Sequence, residues 1–261
     1  NLILIDAITI ALSSASMLSL EGRCKTLDSS SDGYGRSEAC SIFTTSNNIS
    51  NFILTGSVNQ DGRSSSLTAP NGPSQTSLLL QVYNSGNIHI DEEYHLEMHG
   101  TGTPLGDPIE TGSCTFLNLI NVTAGKGRYG HAEAGAGLSG VYDIINMATL
   151  QLLFCHKQLR SLNKYVKLNV TLSKQSTYKI NSNFSGSSSF AFQGTNCHVA
   201  IDNNKMLLNR CRRNRLSNNK RHWVNRSVCW ISKKYIINNI SPQEVTFESE
   251  NPLKLASNII H

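Results

Sequence analysis

Two histidines in this 261-residue chain stand in glycine-rich runs where an imidazole could act as a proton donor or acceptor. His99 opens the run His99-Gly100-Thr101-Gly102-Thr103-Pro104-Leu105-Gly106-Asp107-Pro108-Ile109-Glu110. His131 lies in Gly130-His131-Ala132-Glu133, five residues after Lys126. Neutral imidazoles held as donors can stabilise an oxygen on which negative charge develops. A histidine beside glycines is nevertheless more often a packing residue than a catalytic one, so neither run alone specifies a reaction. His198, inside an apolar stretch, is read as packing. The seven cysteines (Cys24, Cys40, Cys114, Cys155, Cys197, Cys211 and Cys229) are scattered, with no CxxC pair and no Cys/His cluster at metal-binding spacing. Reduced thiols, no metal and a cytoplasmic location are therefore expected.

The elements that must position these residues read as α/β. Strand candidates are Leu2 to Ile5, Phe52 to Val58, Tyr94 to Met98 and His198 to Ile201, and Asn118 to Val122 is apolar. Asp6 is a candidate helix N-cap, Ser74 to Tyr83 reads as a helix, and Ala132 to Cys155 as a long one. The first half of that last helix is crowded with small residues (Ala132, Ala134, Gly135, Ala136, Gly137 and Gly140), which predicts that something packs very close to its backbone. The turn Phe190 to Asn196 precedes the final strand candidate.

Composition narrows the class. The chain is 39% hydrophobic and 16% charged, which suits a folded domain. It opens on Asn1 without a basic leader, and no apolar run is long enough to cross a bilayer, so a fragment of a larger non-membrane protein is expected. The net charge of +5 is local, because Lys205 to Lys234 carries ten Lys or Arg and no acid, leaving the rest at −5. This basic run holds Trp223 and Trp230, a mixture that also suits nucleic acid, although charge runs alone are weak evidence and a solvated linker is the preferred reading.

Five collinear stretches carry a family resemblance. They are Gly22-Arg23-Cys24-Lys25-Thr26-Leu27-Asp28 with Asp32-Gly33-Tyr34-Gly35-Arg36; Val58 to Ser65 with Ala69-Pro70-Asn71-Gly72-Pro73; the His99 to Glu110 run; Gly130 to Glu133 with its Ala/Gly helix; and Phe192-Gln193-Gly194-Thr195-Asn196. In this order they resemble the β-ketoacyl synthase (ketosynthase) domains of type I polyketide synthases. The resemblance implies a thiolase-like layered fold of which this chain carries the C-terminal half. Residues 1–45 would end the N-terminal half, 46–204 would form the C-terminal half, and 205–261 would be a basic linker or tail. It further implies decarboxylative Claisen condensation of an acyl thioester with a malonyl-type extender, with His99 and His131 as the catalytic imidazoles and Lys126 ordering them. Thr101 and Thr103 match threonines that contact the phosphopantetheine arm. Phe192 matches a residue at the entrance to the nucleophile, whose N–H helps form an oxyanion hole. No tightly bound cofactor is implied, since the substrate rides on the phosphopantetheine of an acyl carrier protein. Partners are that carrier, adjacent polyketide synthase domains and a second copy of the chain.

The departures are equally specific. The family's cysteine elbow should lie upstream of Asn1, and none of the cysteines present fits its role: Cys24 and Cys40 fall at structural positions and Cys197 on the wrong side of the Gly194-Thr195-Asn196 turn. Gly127-Arg128-Tyr129 replaces the usual Ser-Asn-Ile, and the stretches 41–55, 111–125 and 157–183 are compressed. A catalytically inactive remnant with a structural or dimerisation role is therefore the competing reading, and the fragment alone is expected to be inactive.

Overall fold

The structure is a computed structural model, and it describes residues 3, 6–43, 53–62, 69–150, 152–170, 172 and 182–203. The chain divides into two compact units, 1–220 and 221–261, and every described residue lies in the first. The basic tail from 205 onward, the expected domain boundary at 204 and most of the Leu2 to Ile5 strand candidate fall outside the described residues.

Five strands form one mixed sheet: β1 (Ile53–Gln60), β2 (Tyr94–Glu97), β3 (Leu119–Thr123), β4 (Phe184–Phe190) and β5 (Thr195–Asp202), in the spatial order β1-β5-β4-β2-β3. β5 is antiparallel to both β1 and β4, whereas β2 runs parallel to β3 and β4. The parallel pairs need crossovers, which the helices supply.

Helix α1 (Asp6–Ser14) buries none of its residues, whereas α2 (Gly72–Gly86) lies in the core. Asn71 caps α2 by accepting from the Ser74 N–H, Pro73 sits in its first turn, and Asn87 ends it at a left-handed φ of 50°. Leu78, Leu79, Val82 and Tyr83 recur at helical spacing and are buried, the last three in one cluster with Tyr94, Leu96, Met98 and Ala200. Helix α5 (Ala136–Leu150) packs against β4 and β2. Strand alternation sends Tyr94, Leu96 and His198 toward α2 and Glu97, Ser187 and Ser189 toward α5, so the helices cover opposite faces.

The close packing expected of the small-residue helix is present. A Cβ on Gly140 would stand 2.5 Å from Ser187 Oγ, and one on Gly137 would stand 3.2 Å from Ser189 Oγ. The helix itself is shorter than the pattern suggests. Glu133 takes a φ of 46°, so Glu133–Gly135 forms a 3-10 turn before α5 begins, and Leu152 N–H closes on Met147 O, leaving Cys155 beyond its end. Two further helices, α3 (Gly106–Ser113) and the single turn α4 (Lys126–Tyr129), occupy stretches read as loops.

Candidate active site

Each candidate histidine is held where a strand or helix gives way to a glycine turn. His99 follows β2 directly, with Gly100 at φ 43° and Gly102 at φ 79° turning the chain behind it. The turn is clamped from α3: the Glu110 carboxylate accepts from the His99 N–H at 2.7 Å and the Gly100 N–H at 2.9 Å. Asp107 does the same for Leu27 N–H at 2.7 Å and Gly102 N–H at 3.1 Å. His131 follows Gly130, whose φ is 83°, and its backbone pairs with the 35–37 segment through His131 N to Gly35 O and Ser37 N to His131 O. Arg36 then grips Glu133 through two nitrogens, at 2.6 and 3.1 Å.

These supports bring the imidazoles together, with ring centroids 5.3 Å apart and planes at 87°. Each ring uses Nδ1 as an acceptor: His99 from the Phe190 N–H and His131 from the Glu133 N–H, both at 3.2 Å. A ring that accepts at Nδ1 must carry its proton on Nε2 when neutral. The Tyr34 ring packs edge-on against His131 at 5.0 Å, and the Phe190 ring lies 5.6 Å from His99. Burial pushes His99 well below its usual range, with the Lys126 charge adding to it, and burial and Lys126 bring His131 down to about 3. Both rings are therefore neutral at pH 7, with two Nε2–H donors and no partner for either among the described residues.

Lys126 begins α4 and is buried, with its charge acting on both rings. Burial lowers its pKa, opposed first by the Glu97 and Glu110 charges and then by Cys24 and Asp143. Glu97 accepts from the Gly125 N–H at 2.6 Å and from the Thr123 hydroxyl, which holds the start of α4. Asp143 on α5 accepts from Arg128 at 2.6 Å and from the Tyr129 hydroxyl at 3.2 Å, so the Gly127-Arg128-Tyr129 replacement brings its own ion pair. Arg128 also lies over the Phe154 ring at 4.4 Å. Burial pushes Glu110 and Asp143 each up to about 7 and Asp107 to about 6.

Of the six residues singled out in the sequence, His99 and His131 meet, and Lys126 is near enough for its charge to act on both rings. Thr101 is buried on the His99 loop, and Thr103 Oγ1 accepts from the Gly106 N–H at the head of α3. Phe192 is 46% exposed in the turn between β4 and β5, and the aromatics packed on the pair are Phe190 on His99 and Tyr34 on His131. Sequence reasoning passed over Glu97, Asp107, Glu110, Asp143 and Phe190. The only signal for Asp107 and Glu110 was their place inside the His99 run. Among the described residues neither buried cysteine is activated. Burial raises Cys24 to about 11 and Cys114 to about 12, away from thiolate. Among the described residues no helix is long and apolar enough to cross a membrane.

Residues 52–155 match the family model described as β-ketoacyl synthase, C-terminal domain. The chain is 34% identical to a phenolphthiocerol/phthiocerol polyketide synthase of Mycobacterium tuberculosis, an alignment covering 77% of this chain and 10% of that protein. It is 33% identical to the orsellinic acid synthase of Beauveria bassiana over 60% of this chain and 8% of that one. Among solved structures, the ketosynthase from module 6 of the bacillaene synthase of Bacillus subtilis superposes with a TM-score of 0.68 at 23% identity, over 77% of this chain and 41% of that domain. The oxazolomycin ketosynthase domain of Streptomyces albus gives 0.69 at 21%, over 77% and 40%. The chain thus spans about a tenth of the curated relatives' length, and the structural likeness identifies the thiolase-like ketosynthase fold.

Proposed function

Since the chain belongs to the β-ketoacyl synthases of type I polyketide synthases, as part of their C-terminal half, we propose that it supplies the decarboxylation machinery of a condensing enzyme. A malonyl-type thioester on the phosphopantetheine of an acyl carrier protein enters with its carbonyl oxygen between the two Nε2–H groups. The bond from Cα to the carboxylate breaks, carbon dioxide leaves, and the electron pair becomes an enolate whose oxygen the two donors stabilise. The enolate carbon attacks the acyl thioester carbonyl, a carbon–carbon bond forms, and a cysteine thiolate departs.

In this reading that cysteine comes from another segment of the parent enzyme; the two buried cysteines here, Cys24 and Cys114, are held protonated and do not suit the role. Lys126 acts on both rings. Its charge favours the neutral imidazoles, and Glu97 and Glu110 keep that charge in place. Thr101, Thr103 and Phe192 serve the arm and the entrance, adjacent synthase domains and a second copy complete the assembly, and residues 205–261 form the linker.

The observation that carries this reading is the pair of neutral rings 5.3 Å apart with both Nδ1 atoms occupied by backbone donors. In the intact parent, His99→Ala or His131→Ala should abolish both malonyl-thioester decarboxylation and condensation, and wild-type turnover in either variant overturns the assignment. Absence of both reactions in the unmodified parent would shift the reading to a structural remnant.

A further inference from the structure

The two histidines of the site are not held alike. His99 takes its Nδ1 hydrogen bond from the Phe190 N–H, and Phe190 lies in β4 opposite Asn196 of β5, so that donor is fixed by the sheet. His131 takes its bond from the Glu133 N–H at 3.2 Å, and Glu133 opens a 3-10 turn. Its φ is 46°, in the left-handed region, which costs a residue bearing a Cβ about tenfold in population. The alternative is a right-handed Glu133 that would carry α5 back toward Ala132, the longer helix that the sequence suggests.

The chain on either side leaves no slack for that change. His131 is paired with the 35–37 segment, and α5 packs against β4 and β2. A relaxed φ at Glu133 must therefore be taken up by the peptide between them, whose N–H is the donor to His131. What opposes the relaxation is Arg36. Its Nε and Nη2 donate to the two Glu133 carboxylate oxygens at 2.6 and 3.1 Å, and its Nη1 donates to Thr9 Oγ1 on α1 at 2.6 Å. All three guanidinium nitrogens are thus engaged. The Arg36 side chain is only 7% exposed, so this two-pronged pair is not one of the surface ion pairs that contribute little. Arg36 also faces His131 across an isolated parallel bridge. One residue therefore borders the histidine's main chain and, through Glu133, governs the donor to its ring.

We propose that Arg36 and Glu133 are positioning residues: their ion pair holds Glu133 at its positive φ, and the N–H so presented keeps the His131 proton on Nε2. The proposal rests on the reading of His131 as a donor to the enolate oxygen.

The test pairs nitrogen NMR of the histidine rings in the full chain with malonyl-thioester decarboxylation by the intact parent. The His131 signals are those lost in His131→Asn. Wild type should show one neutral tautomer, protonated at Nε2. Arg36→Ala and Glu133→Ala should each mix the tautomers and lower kcat about tenfold with KM unchanged, the mark of a contact that matters in the transition state. Glu133→Gly decides the mechanism. It removes the same carboxylate, but glycine adopts positive φ freely, so the single tautomer should return and kcat should recover to within about threefold of wild type. Arg36→Ala added to Glu133→Gly should then cost nothing further. A pair that served only the fold would rank the variants the other way, because alanine suits a helical turn better than glycine. Glu133→Gly no faster than Glu133→Ala, or a single tautomer and full kcat in both alanine variants, overturns the positioning role and leaves the donor reading intact. A wild-type ring protonated at Nδ1 overturns the donor reading itself, and the proposal with it.

Discussion

Two histidines lie inside the strands of this sheet and two lie in the turns beyond its elements, and what separates the pairs is the state of their nitrogens. His95 in β2 has Nδ1 on Ser185 at 3.2 Å and Nε2 on Thr123 at 2.8 Å. His198 in β5 has Nδ1 on Ser188 at 2.9 Å and Nε2 on Tyr94 at 3.0 Å. His99 and His131 each commit one nitrogen to a backbone N–H and leave the other open. Burial drives His95, His131 and His198 alike down to about 3, so a depressed pKa does not separate the proposed pair from the packed one. An open nitrogen on each of two rings whose centroids lie 5.3 Å apart does.

The largest effect should come from breaking the convergent pair. His99→Ala in the intact parent should lower condensation by about 10²–10³-fold, the usual yield of a positioned imidazole or oxyanion donor, with little change in unfolding free energy. Steady-state turnover beside a urea melt checks both halves. A stability loss large enough to account for the inactivity would erase the contrast with the strand histidines.

His198→Ala should do the reverse. It leaves the Tyr94 and Ser188 hydroxyls unpaired beside a cavity, at a cost of about 3 kcal/mol in a denaturant melt, while turnover below the melting range stays near wild type. A tenfold fall in turnover with unchanged stability would overturn its structural role.

What could be read in the chain beforehand follows the same division. The site loops showed themselves because glycine, threonine and histidine at fixed offsets mark backbone that must turn sharply, and the structure uses Gly100, Gly102 and Gly130 at positive φ for that purpose. The middle of the sheet was far less visible. β4, Phe184-Ser185-Gly186-Ser187-Ser188-Ser189-Phe190, has none of the apolar alternation that marks a strand. Its small side chains answer to its neighbours: Ser187 and Ser189 admit the glycine face of α5, and a Cβ on Gly186 would stand 2.1 Å from the Tyr94 hydroxyl and 2.4 Å from His198 Nε2. α3 was hidden by Gly106 and Pro108, which read as loop residues but sit in a first turn, where proline's missing N–H costs little. The carboxylates under Lys126 could not be paired with it from spacing, because Glu97 and Asp143 come from a strand and a helix far from it in the chain.

The pH dependence sharpens the comparison further. A neutral buried imidazole binds fewer protons than the unfolded chain, so each of the four histidines adds stability above about pH 6.5 that is lost as pH falls toward its folded pKa. Glu110 has the opposite sign. Its pKa is raised from 4.5 to about 7, so its contribution is present below 4.5 and lost as pH rises through 7. Between pH 7 and 5 it offsets the histidine loss by about 2 kcal/mol. Glu110→Gln should therefore lower stability overall and also steepen the fall from pH 7 to 5 by that amount in urea melts at each pH. Parallel pH profiles for the two proteins would show that Glu110 does not titrate in this range.

His156 is the closest test of whether convergence matters more than an open nitrogen. It is buried, its Nε2–H donates to Val122 O at 2.8 Å, and its Nδ1 has no partner, so one nitrogen is open as in the proposed pair. No second ring faces it among the described aromatic contacts. His156→Leu removes one hydrogen bond, worth about 1 kcal/mol, together with one orphaned acceptor whose burial was unfavourable. The two changes oppose each other, so stability should stay within about 1 kcal/mol of wild type and condensation by the parent should be unchanged. If the substitution instead removed turnover while the melt held steady, an open buried nitrogen would matter without a partner ring. The division between packed and catalytic histidines would then have to be redrawn around His156 as well.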